Sequence, residues 1–143
     1  MEPLDLTKAP PRGPRETIAG LYFLPRTIDK LRGELPGGKL GNYLTDYDRG
    51  FSSYVLHKAG ITFAELRAVV AAAPDEESVA AWLRARVDPQ LGPKLNARLE
   101  NLRIDAMTPD DRALFFDRHP ALAGRAPESL LDALEADDAV LAG

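Results

Sequence analysis

Leu21, Leu24, Ile28, Leu31 and Leu35 recur at alternating three- and four-residue intervals, the repeat of one face of an α-helix. Polar side chains fill the positions between them. The pattern predicts a first helical region from about Arg15 to Leu35, interrupted at Pro25. A proline in mid-helix removes a hydrogen bond and crowds the carbonyl four residues earlier. The helix therefore kinks there, or Pro25 opens a second helix near its first position.

Further along, similar stripes come with start and stop signals. Thr62 to Glu65 reads Thr-Phe-Ala-Glu, a capping box, ahead of Phe63, Leu66, Val69 and Val70. Pro74 ends that element. Asp75 can cap another helix, running to about Val87 around Val79, Trp82 and Leu83. Leu91, Leu95, Leu99 and Leu102 form a further stripe, and Gly92-Pro93 predicts a start at Pro93. Thr108-Pro109 pairs a cap with proline at the first helical position. A last segment, from Pro127 to about Leu141, carries Leu130, Leu131, Leu134 and Leu141. In the stretch 43–58, Asp46 or Asp48 is a candidate cap for a helix with Tyr47, Phe51 and Tyr54 on one face.

Two stretches break the helical rhythm. Residues 1–15 hold Pro3, Pro10, Pro11 and Pro14, which bias themselves and their predecessors toward extended backbone. They are expected to form an extended arm pinned by Leu4 and Leu6. Residues 36–42, Pro-Gly-Gly-Lys-Leu-Gly-Asn, are expected to be a flexible connector. The expected architecture is all-α: a compact single domain, 16–143, of six or seven short helices, with residues 1–15 as a proline-rich N-terminal arm.

Composition changes this picture little. The chain of 143 residues suits one domain, with 45% hydrophobic and 28% charged residues. It contains no cysteine, which excludes disulfides and thiolate chemistry. No apolar run resembles a signal peptide or a membrane helix, so a cytoplasmic location is the default expectation. The net charge is −4, distributed unevenly. Residues 1–60 hold nine basic and seven acidic side chains, whereas residues 104–143 hold three and nine. This argues against DNA as a partner and leaves a modest anion-accepting surface near the N-terminus.

The candidate chemistry centres on the polar side of the first stripe. Arg26 and Lys30 project opposite the leucines, with Asp29 beside them. A guanidinium fork and an ammonium both suit phosphate or carboxylate. Lys39, in the glycine loop, could close over an anion held there. The plain alternative is a solvated helix face. A secondary polar-aromatic group comprises Tyr43, Asp46, Asp48 and Arg49. Neither a phosphate-binding loop nor a dinucleotide fingerprint occurs. His57 suits a helix C-terminus and His119 a turn before Pro120, so neither is assigned as a metal ligand or general base, and no metal or cofactor is expected. The acidic run Glu135 to Asp138 opposes the dipole at a helix C-terminus and is expected to be a solvated, fraying end.

Several of these residues carry a family resemblance. Residues 5–16, DLTKAPPRGPRE, and 24–35, LPRTIDKLRGEL, followed by Gly41 and Tyr43 and then by Gly60, Phe63, Asp75 and Trp82, resemble a small bacterial family catalogued as a domain of unknown function, numbered five thousand and sixty-nine. The resemblance is strongest over residues 5–43 and weak beyond residue 90. It implies no activity, but it draws attention to Arg26, Asp29 and Lys30 as polar residues within its motifs.

Two function classes follow. The leading one is a non-catalytic binding or interaction module whose anion-accepting surface meets a small anionic metabolite or an acidic protein patch. The other is an enzyme acting on a small phosphorylated or carboxylated metabolite, with Asp29 or Asp48 moving a proton. A concave pocket with a carboxylate beside the cations would favour the enzyme, and a flat surface the module. A homodimer through Tyr54 or Trp82 is a third expectation.

Overall fold

The computed structural model describes residues 1–45, 50–119, 122 and 129–142. Within them the chain is mostly helical rather than purely so. A short antiparallel hairpin pairs β1 (Thr17–Ile18) with β2 (Leu21–Tyr22). It occupies part of the stretch whose periodicity predicted helix. Ala19 and Gly20 both take positive φ, 55° and 77°, and make the two-residue turn that suits the twist of a hairpin.

Helix α1 (Leu24–Gly33) starts immediately after the hairpin. Pro25 lies in its first turn, where a missing N–H costs nothing, so there is no kink. Phe23, at the N-cap, is left-handed with φ 71°, and this turns the chain from strand into helix. α2 (Phe51–Ala59) has Gly50 at its N-cap; the candidate caps Asp46 and Asp48 lie outside the described residues. α3 (Phe63–Ala72) has the reciprocal Thr62–Glu65 capping box that the sequence predicts. In α4 (Glu76–Arg86), the Asp75 side chain accepts from the Ser78 N–H. α5 (Leu91–Glu100) starts two residues before Pro93. A 3-10 turn (Ile104–Ala106) leads to α6 (Pro109–Arg118), capped by Thr108, and then to α7 (Leu130–Ala142).

α1 is the central helix. Leu24, Ile28 and Leu31 are fully buried, in one cluster with Leu56, Leu66, Val70, Leu83, Leu99 and Leu131. Each such leucine contributes roughly 1.5–3 kcal/mol by leaving water. α1 packs on α2 and α3, and α5 packs on β2 and α7. Asn96 of α5 holds the hairpin: its Nδ2 donates to the Gly20 carbonyl at 2.8 Å, and its Oδ1 accepts from the Tyr22 N–H at 3.0 Å. Gly92 lets the two elements meet, because a Cβ there would lie 2.5 Å from the Gly20 oxygen.

The first fifteen residues do not form a separate arm. They are tied to the body, with Leu6, Pro11 and Pro14 buried. Leu4 N–H donates to Arg32 O, Leu6 N–H to Lys39 O, and Lys39 N–H to Leu4 O. The last two bonds also tie the glycine loop to the N-terminal segment through a parallel bridge between Asp5 and Lys39. Gly38 is packed tightly there, since a Cβ would lie 2.7 Å from the carbonyls of Arg32 and Gly33. Among the described residues, no helix is long and apolar enough to cross a membrane.

Candidate functional site

The polar side of α1 is neither wet nor a surface. Arg26 is 3% exposed and Asp29 5%, because α1 is covered on its polar side as well as its apolar one. Two separate sets of partners cover it.

Asp29 meets Arg12 from the N-terminal segment. The Arg12 backbone N–H donates to Asp29 Oδ2 at 2.8 Å, Nε to the same oxygen at 3.1 Å, and Nη2 to Oδ1 at 3.0 Å. Arg12 also bonds Glu76 of α4. The surrounding carboxylates raise the affinity of this guanidinium for its proton, against the opposing effect of burial.

Arg26 turns the other way, toward α7. Its Nη1 and Nη2 donate to the two oxygens of Asp138 at 2.6 and 2.9 Å, a bidentate fork. The Tyr43 hydroxyl donates to Asp138 Oδ1 at 3.1 Å, while its ring lies 5.6 Å from the Arg26 guanidinium carbon. Burial and the adjacent Asp138 charge both raise the Tyr43 pKa, keeping the phenol protonated. One residue earlier, Asp137 Oδ2 lies 2.9 Å from His119 Nδ1.

Within the acidic run of α7, Glu135 is exposed but Asp137 and Asp138 are not solvated. Asp137 is 4% exposed and Asp138 7%. The dipole argument for a fraying end fails because each acid has a cationic or N–H partner from another element. Their burial continues the stripe of Leu130, Leu131 and Leu134, since 137 and 138 lie seven residues beyond 130 and 131. That periodicity was the available signal for them. His119 had a weaker one, a histidine at a helix end with its partner only later in the chain.

These groups border a cavity of about 820 Å³. Arg26, Lys30, Tyr43, Arg118, His119 and Asp137 all line it. Phe23, Phe51, Leu114, Phe115 and Leu134 supply apolar wall. Asp111 and Asp117 add carboxylates, so the lining carries both signs of charge. Ser52 lines it too, sharing a 2.9 Å hydrogen bond with Thr27, whose hydroxyl donates to the Phe23 carbonyl at 2.7 Å.

Lys30 stands one helical turn beyond Arg26. It makes no hydrogen bond or ion pair among the described residues. Burial, followed by the repulsion of Arg26, pulls its pKa from 10.5 to about 7; Asp138 opposes this and Arg118 adds to it. His119 shifts down as well, chiefly through burial, with the Asp137 hydrogen bond opposing. A carboxylate only accepts, so neutral His119 carries its proton on Nδ1, toward Asp137. Its Nε2 then keeps a lone pair, with no hydrogen-bond partner among the described residues.

The sequence-predicted group thus divides. Arg26 and Lys30 share the cavity with Tyr43, Asp29 faces Arg12, and Lys39 is exposed near Asp5 at 4.0 Å, outside the lining. Asp46, Asp48 and Arg49 lie outside the described residues. His57 is exposed on the last turn of α2. Among the described residues, no three histidine or carboxylate side chains converge as a metal site.

A small helical domain wrapped round one central helix, with a cavity where a lysine, a histidine and a carboxylate meet, is the class these features define. A family model described as domain of unknown function DUF5069 matches residues 8–140, and the chain belongs to that family. The match extends well past residue 90. None of the curated proteins matches the sequence.

Proposed function

We propose that this chain is an enzyme acting on a small phosphorylated or carboxylated metabolite held in the cavity, with His119 moving the proton. The observation that carries the reading is the His119–Asp137 pair bordering the same cavity as Lys30. Concavity, with a carboxylate beside the cations, favours an enzyme over a binding surface.

Each group has a role that its surroundings support. Asp137 fixes the imidazole ring and its tautomer, as an orienting carboxylate does. Nε2 takes a proton from the metabolite and returns it, and a downward-shifted pKa keeps that nitrogen free near neutrality. The guanidinium groups of Arg26 and Arg118 form the cationic side of the wall that attracts the anionic group. The aromatic wall excludes water and strengthens every charge interaction inside.

The test uses the parent and His119→Asn with pooled phosphate esters and small organic acids. Unfolding midpoints report binding, and mass spectrometry of the pool reports consumption. Ligand-selective stabilisation of both proteins, with consumption by the parent alone, is the expected result. Binding without consumption returns the chain to the non-catalytic class. No selective stabilisation by any pool removes the anionic-metabolite reading.

A further inference from the structure

We propose that Lys30 is an amine nucleophile that adds to the carbonyl carbon of small anionic aldehydes or 2-oxo acids, forming an imine in the cavity. The proposal rests on the enzyme reading and narrows its substrate class to carbonyl compounds.

The placement of Lys30 is the argument. A lysine meant only to bind an anion gains from a neighbouring carboxylate that keeps it charged and ordered. Lys30 instead lacks any ion-pair partner among the described residues, is mostly buried, and follows Arg26 by one turn on α1. Arg26 spends its own charge on Asp138 through a two-point contact and cannot be deprotonated. Desolvation beside a second cation is the arrangement that turns a lysine into a nucleophile. The charged groups around it are Arg26 on its own helix, Asp137 and Asp138 on α7, Arg118 on α6 with the adjoining His119, and Asp111 and Asp117 also on α6. The balance of these groups with burial leaves the amine substantially neutral near pH 7.

The remaining parts of imine formation lie in the same cavity. The Lys30 Nζ lone pair forms the C–N bond, and the carbonyl π electrons move to oxygen. His119 Nε2 takes the proton released from nitrogen. It hands that proton to the alkoxide, giving the carbinolamine, and then carries the second N–H proton to the new hydroxyl, which leaves as water as the C=N bond forms. No oxidant, reductant or metal enters the balance. The apolar wall of Phe23, Phe51 and Phe115 favours loss of that water.

Reductive trapping tests this directly. The parent is incubated with pyruvate, glyceraldehyde 3-phosphate or uncharged propionaldehyde in the presence of cyanoborohydride, and the labelled lysines are mapped by peptide mass spectrometry. At pH 7, Lys30 should be labelled at least about tenfold faster than exposed Lys39, Lys58 and Lys94, because more of it is free amine. Its labelling should rise through pH 7, while theirs rises only at higher pH. The two anionic probes should outpace propionaldehyde at Lys30 alone. His119→Asn should slow adduct formation at Lys30 without moving that pH profile. Equal labelling of all lysines, or none at Lys30 with any probe, overturns the proposal. The site map needs no Lys30 variant, so the test holds even if Lys30→Met fails to fold. Anion-induced stabilisation without a Lys30 adduct defeats the carbonyl chemistry alone, whereas loss of both defeats the enzyme reading too.

Discussion

The two polar flanks of α1 are made from the same materials and end in different states. On one, Asp29 receives three hydrogen bonds from Arg12, which also meets Glu76. Every charge there has an opposite beside it, and the N-terminal segment seals it. On the other, Arg26 and Asp138 satisfy each other, Asp137 holds His119, and Lys30 is left over at a cavity wall. A matched flank is architecture. A flank with one cation more than its pairing uses holds an unsettled charge, and a site with an unsettled charge can respond to what enters it.

The largest effect should come from cutting the buried Arg26–Asp138 pair on the cavity flank. Asp138→Ala leaves Arg26 buried and uncompensated, and should cost about 3–5 kcal/mol in denaturant unfolding. Replacing both partners, Arg26→Met with Asp138→Leu, should recover most of that loss. A loss under about 1 kcal/mol in the single variant, the size of an exposed pair, would mean that this flank is wetter than its burial implies.

Lys30→Met should move stability in the opposite direction. At pH 7 the unfolded chain keeps this amine charged while the folded chain resists it, so the parent bears a penalty of about 4 kcal/mol that methionine removes. The gain should shrink as pH rises from about 7 and vanish near 10.5, where the unfolded chain also loses the proton. A variant less stable than the parent across that whole range would place Lys30 in a hidden pair and erase the contrast between the flanks.

Asp29→Asn sharpens the comparison from the sealed side. It keeps the shape and loses the charge, at an expected cost of about 1–2 kcal/mol by chemical unfolding. Stabilisation by cavity ligands should be unchanged. A ligand response lost along with Asp29 would show the two flanks to be one system.

The smallest effect concerns His119. Its folded pKa lies below the ordinary 6.5, so just under that pH the unfolded chain binds more protons than the folded one. Parent stability should therefore fall as pH drops below 6.5, and His119→Asn should fall less steeply there. Identical slopes from paired melts would remove the burial argument for the neutral imidazole.

What was legible beforehand follows the range of each interaction. The starts of α3, α4 and α6 were readable because Thr62, Asp75 and Thr108 bond only three residues onward. The hairpin was not, because its strands are two residues long and its turn uses Ala19 at positive φ, where asparagine or glycine is usual. The leucine stripe of α1 is legible in the sequence, but the polar side opposite it has the pattern of a solvated face although Arg26 and Asp29 are buried. Nothing local in the sequence indicates that Arg26 has a partner 112 positions away. The same holds for His119, whose assignment to a turn was sound as geometry and silent about Asp137. Acids that continue a leucine stripe are the cue that leads to Asp137 and Asp138.

That distance along the chain has a consequence for how the molecule is made. Arg26 of α1 leaves the ribosome 112 residues ahead of Asp138 of α7. Until Asp138 arrives, Arg26 has no anion to accompany it into the interior and remains better off in water. A nascent chain can begin its leucine core early, but Leu130, Leu131 and Leu134 join that core, and the cavity gains its far wall, only once α7 has been made. The amine, the imidazole and Asp137 are thus brought together only when α7 docks.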